Sequence, residues 1–147
     1  MEKDFEKRFI SPEKFNQAIR NDKFNFNCLA FAFGETEYCE FYDFSLDNIL
    51  YPNICNAFIK KANFFRIGIE KVNSIEELKD CYGFILFGWT FYPSNGFHVA
   101  RIEPNGQIVT KYGYKENAGY ATMQELSKLY FYEPVYFFKF TGEHLNV

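Results

Sequence analysis

The chain has 147 residues, 48% hydrophobic and 24% charged, with a net charge of −3 from 16 basic and 19 acidic side chains. That composition points to a globular rather than a disordered chain and suits one domain over residues 1–147 with its own core. The acidic balance speaks against nucleic-acid binding, no apolar run approaches a membrane span, and Met1–Phe5 lacks the apolar core of a signal peptide, so a cytoplasmic protein is expected.

In chain order, residues 11–20 read as a helix. Ser11 is its N-cap, Pro12 fits the first helical position, and Phe15, Ala18 and Ile19 form an apolar stripe. Asn27 is the N-cap expected for a short buried helix from Cys28 to Phe33, with Gly34 as its terminator. Residues 35–45 read as loop. A further helix is expected within 46–63, begun by Pro52, with Ile54, Ala57, Phe58 and Ala62 inward. Phe64 to Ile69 looks like a strand. Ser74 and Glu77 make a capping box for a short helix reaching Lys79.

The second half is mostly sheet. Tyr82 to Phe91 is an aromatic and β-branched run, expected as a central strand buried on both faces. Residues 92–96 form a turn-rich loop. A hairpin follows, Phe97–Glu103 and Gln107–Tyr112, and its loop length sets which side chains share a face. A three-residue loop, with Gly106 in the left-handed region, pairs Glu103 with Gln107. His98, Ala100, Ile102, Ile108, Thr110 and Tyr112 then share a buried face. Val99, Arg101, Glu103, Gln107, Val109 and Lys111 share the opposite one, expected to be the charged, outer face. Thr122 and Glu125 cap a helix over 123–130, and Glu133 to Phe140 is a last strand before a polar tail that contains His144.

Four cysteines stand at 28, 39, 55 and 81, none in a two-residue-gap pair, and only two histidines are present. No structural zinc, Walker loop or dinucleotide fingerprint is legible, so neither a metal nor a cofactor is expected, and the thiols should be free. Aromatic residues make up 22%, enough to fill a core and to line a groove. Cys28 falls in the first turn of its helix, where unpaired backbone N–H groups favour a thiolate and stabilise an oxyanion. A buried, inert helical cysteine is the plain structural alternative.

Two stretches carry a family resemblance. Asn27-Cys28-Leu29-Ala30-Phe31-Ala32-Phe33-Gly34 resembles the Asn-Cys-aromatic-Ala-aromatic-Ala-Leu-Gly signature of small bacterial and phage proteins related to papain-like cysteine hydrolases of the NlpC type. Downstream, Phe97, His98, Arg101, Glu103 and Gly106 follow the same family's pattern. Thr110-Lys111-Tyr112-Gly113 falls where the family has His-Lys-Pro-Gly. The resemblance spans residues 25–141 in element order and is specific only at these two motifs.

The resemblance implies an α+β, papain-like fold in which N-terminal helices carrying the cysteine pack on an antiparallel sheet carrying the histidine. It implies Cys28 as nucleophile, His98 as general base, and Thr110 in the place of the group that orients the imidazole. The Cys28 N–H, with Asn25 or Asn27, would form the oxyanion hole. Threonine carries no charge, so Glu116, Asn117 or Tyr112 are alternative orienters. The implied activity is amide hydrolysis on a peptide or protein, peptidoglycan cross-links included. The competing expectation is a catalytically weak or inactive interaction protein, such as a phage or mobile-element inhibitor of a host factor.

Overall fold

Gly83–Trp89 (β2) is the strand on which the sheet is built. Phe84, Ile85, Leu86 and Phe87 are all fully buried, so both of its faces are covered. The computed structural model describes residues 9, 11–18, 28–34, 54–89, 97–111, 118–130 and 132–143. Among these the remaining strands are Ile67–Val72 (β1), Phe97–Ile102 (β3), Ile108–Lys111 (β4), Ala118–Ala121 (β5) and Tyr132–Glu143 (β6). The six form one sheet in the order β1-β6-β2-β3-β4-β5, with every neighbouring pair antiparallel. The helices are Pro12–Ala18 (α1), Cys28–Phe33 (α2), Ile54–Phe64 (α3) and Met123–Tyr130 (α4), with a 3₁₀ turn at Ile75–Leu78.

Alternation along the strands divides the core in two. On one face Phe84, Leu86, Val99, Val109, Phe138 and Phe140 meet Phe9 and the helical residues Phe15, Phe31, Phe33, Phe58 and Ala62. Rings meet edge-on at Phe33–Phe84, 5.6 Å between centroids, and at Phe15–Phe31, 4.8 Å. Such edge-to-face contacts add to area burial. On the other face Ile85, Phe87, Ala100, Ile102 and Ile108 meet Leu78 of the 3₁₀ turn and Leu126 of α4. Helix α1 lies against β5, α2 against β3 and β4, α3 against β1, and α4 against β6.

Local signals act as the sequence implies. The Lys14 amide donates to Ser11 Oγ, 3.2 Å, and Gly34 ends α2 at φ 76 with its N–H on the Phe31 carbonyl. The Asn73 and Ser74 amides donate to the Glu77 carboxylate, and the Glu125 amide donates to Thr122 Oγ1. The hairpin has the three-residue loop. Glu103 N–H bonds the Gln107 carbonyl, Gly106 N–H bonds the Glu103 carbonyl, and Gly106 sits at φ +88.

Other expectations are corrected. Phe64 and Phe65 do not begin a strand. They end α3, with Phe65 N–H on the Lys61 carbonyl and Arg66 in the left-handed cap position at φ 62. No glycine marks that cap. The Ser74 helix is a single 3₁₀ turn. The last strand runs on to Glu143, because Gly142 and Glu143 pair with Gly68 and Ile67. The hairpin's second face is not an outer one: Val99, Arg101 and Val109 are fully buried there, because α2 covers it. Edge strand β5, which local sequence does not announce, is held by a side chain imitating a strand. Asn16 Oδ1 accepts from Ala118 N–H, 2.8 Å, and its Nδ2 donates to the Ala118 carbonyl, 3.1 Å. The expected loop at 35–45, Pro52, the loop at 92–96 and His144 lie outside the described residues.

Gly83 is required by space. A Cβ there would meet the Phe138 carbonyl at 2.7 Å and Leu78 Cδ2 at 2.9 Å, whereas one at Gly119 would meet nothing within 4 Å. Urea denaturation of Gly83→Ala should show a loss of about 1–3 kcal/mol, and Gly119→Ala a change within about 0.5 kcal/mol. Equal effects at both positions would contradict this packing.

Candidate functional site

Histidine 98 is the second residue of β3 and pairs with Phe87 of β2, their rings 6.1 Å apart. Its side chain is only 4% exposed. An imidazole in that setting needs an internal partner. Thr110, fully buried on β4, supplies one: His98 Nε2 lies 2.6 Å from Thr110 Oγ1. The register explains the contact. Arg101 pairs with Val109 and Ile102 with Ile108, so Thr110 lies diagonal to His98 on one face.

The threonine hydroxyl also lies 3.4 Å from the Val99 carbonyl. Donating there, it accepts from Nε2–H and leaves the lone pair on Nδ1; donating to Nε2 instead, it puts the proton on Nδ1. Burial pushes the His98 pKa down to about 4, so the ring is neutral at pH 7. A neutral imidazole with its proton held on one nitrogen is a base at the other.

Cys28 is the first residue of α2, and α2 packs on β3 and β4, the two strands that carry His98 and Thr110. The first turn of any helix holds backbone N–H groups without intrahelical partners. The Cys28 side chain, Asn25 and Asn27 lie outside what is described, as do Tyr112, Glu116 and Asn117. Thus His98 and Thr110 are brought together. Phe31 and Phe33 of α2 pack on the sheet face of Val99 and Val109, opposite the face of His98 and Thr110. Since β3 begins at Phe97, His98 lies beside the strand's end.

Arg101 lies inside the protein, not on the outer face expected for it. Its guanidinium is fully buried between two rings, 4.9 Å from the Phe31 centroid and 5.2 Å from that of Phe9. Nη2 donates to Glu103 Oε2 at 3.1 Å. Burial pushes the guanidinium pKa down, and the charge and hydrogen bond of Glu103 pull it back up. The signal for burial was present in Val99 and Val109, which share Arg101's face and are apolar. Cys55 and Cys81 are free, half-buried thiols, and burial raises the Cys55 pKa, partly offset by Lys71. Among the described residues no group of three His, Cys, Asp or Glu side chains gathers to hold a metal ion. No helix there is long and apolar enough to cross a membrane. A concavity of about 540 Å³ opens at the hairpin tip beside Gly106, Ile108, Tyr120 and Met123, and neither His98 nor Thr110 lines it.

These features define a mixed α+β domain with an antiparallel six-stranded sheet and short helices on both faces. Residues 17–139 match a family model described as "Domain of unknown function (DUF7689)", and the chain belongs to that family. No curated protein and no solved structure matches the chain.

The buried imidazole makes stability depend on pH. Its pKa is about 4 folded, against an ordinary 6.5. Between these values the unfolded chain binds a proton that the folded chain does not. The contribution of His98 is therefore complete above about pH 6.5 and is lost as pH falls towards 4, on the order of 3 kcal/mol in all. Denaturation of wild type and His98→Gln at pH 7 and pH 4.5 should show the steeper loss in wild type. Parallel losses would mean that His98 is not held neutral. Thr110→Val, which removes the ring's hydrogen-bond partner at Nε2, should cost about 1–3 kcal/mol at pH 7.

Proposed function

We propose that the protein is a cysteine-dependent amide hydrolase of papain-like architecture, with Cys28 as nucleophile and His98 Nδ1 as general base. The observation that carries this is the His98–Thr110 bond. It holds a neutral, oriented imidazole on the strand against which the cysteine's helix packs.

The steps follow from the groups. Nδ1 takes the thiol proton as sulfur attacks the amide carbonyl. The Cys28 N–H, with Asn25 or Asn27, stabilises the oxyanion. The imidazolium then returns its proton to the leaving amine and a thioester remains. Water, deprotonated by the same nitrogen, attacks the thioester and releases the acid and the thiol. Throughout, Thr110 accepts from Nε2–H and keeps the ring in place. The substrate is an amide in a peptide or protein, peptidoglycan fragments included, and neither metal nor cofactor takes part in these steps.

One observation favours a binding role instead. Phe31 and Phe33 of the cysteine's helix pack on the sheet face opposite His98. In an interaction protein the His98–Thr110 bond would serve only the core, and an acidic, aromatic surface would engage a host factor.

Iodoacetamide labelling at neutral pH, read by peptide mass spectrometry, separates the two. A hydrolase should alkylate Cys28 at least tenfold faster than Cys39, Cys55 or Cys81, and His98→Gln should abolish the advantage. Labelling of Cys28 no faster than the others would sink the enzyme. With a cleavable substrate, the acid limb of kcat/KM should fall near pH 4 rather than 6.5, following His98.

A further inference from the structure

We infer that Arg101 is a positioning residue for the thiol: its stacked guanidinium fixes the cysteine's helix over the strand that carries the histidine. This rests on the hydrolase assignment for its catalytic consequence, though not for the anchoring itself.

Arg101 and His98 stand three positions apart on β3, with side chains on opposite faces of the sheet. The guanidinium of Arg101 enters the aromatic layer and lies 4.9 Å from the ring of Phe31. Phe31 is three residues, about one turn, after Cys28 on α2. The second ring at the guanidinium, Phe9, comes from the segment before α1, at 5.2 Å. Glu103, at the hairpin tip and 17% exposed, holds Nη2 at 3.1 Å. A single fully buried cation thus joins the N-terminal segment, the cysteine's helix and the hairpin.

The chemistry calls for arginine in particular. Only a planar cation can meet two rings and a carboxylate together, whereas lysine offers a compact ammonium on a flexible stem. An ordinary core residue would hold α2 by area alone, and a six-residue helix is too short to be stable by itself. A small slide is enough to carry a thiol out of reach of its base.

The test is Arg101→Lys, with two readouts. Hydrogen exchange should show the α2 amides exchanging at least tenfold faster, while those of β2 and β6 keep their protection. Alkylation should show Cys28 slowed at least tenfold relative to Cys81, its pH midpoint rising towards an ordinary thiol near 8.5. Global loosening would do the reverse and speed labelling at Cys55 and Cys81. Unchanged α2 exchange would overturn the inference. If α2 loosens while wild-type Cys28 reacts no faster than Cys81, the anchoring stands and the hydrolase assignment fails. Should Arg101→Lys not fold, Phe31→Leu, which removes one ring and keeps the cation, is read the same way.

Discussion

The β3–β4 hairpin is buried on both faces, and most of the structure answers that constraint. Val99, Arg101 and Val109 face the aromatic layer, while His98, Ala100 and Thr110 face the 3₁₀ turn and α4 side. A strand covered twice has no water for a charge or an imidazole. Each polar side chain on it must be satisfied inside the protein. Arg101 lies against two rings and bonds Glu103 through Nη2. His98 is satisfied by Thr110. Both solutions depend on the hairpin register, because a one-residue slip would exchange the two faces. Gly106, at φ +88, pins that register at the tip.

The cost of burying Arg101 is of the same kind as the depressed pKa of His98. Desolvation disfavours the charged form in both. Arginine keeps its proton and is compensated by its surroundings, whereas histidine gives its proton up. The outcome is a cation on one side of β3 and a neutral base on the other. Burial that stabilises the fold thereby sets the protonation state at the candidate site.

Much of this was legible in the sequence. Ser11-Pro12, Gly34, Ser74 with Glu77, and Thr122 with Glu125 each carry a local backbone rule, and each acts where it was expected. Pro104-Asn105-Gly106 fixed the hairpin loop, and with it the diagonal contact of His98 and Thr110. What could not be read was set by tertiary structure. Strand β5 is Ala-Gly-Tyr-Ala, with little strand propensity, and depends on its pairing with β4 and on the amide of Asn16. Arg66 caps α3 in a conformation usually left to glycine. Arg101 looked like a surface charge because alternation marks faces without saying what covers them. The two short motifs identified the candidate site but not its geometry, since the ring and the cysteine's helix are set by different layers.

The proposal stands or falls on whether the Cys28 sulfur and the His98 ring meet. Dibromoacetone tests this directly: it alkylates a thiol first and then bridges its short carbon chain to a nearby ring nitrogen. Peptide mapping should recover Cys28 joined to His98, and the link should disappear in His98→Gln. Dibromoacetone attached to Cys28 alone in the folded wild type, with His98 unmodified, would contradict the paired site.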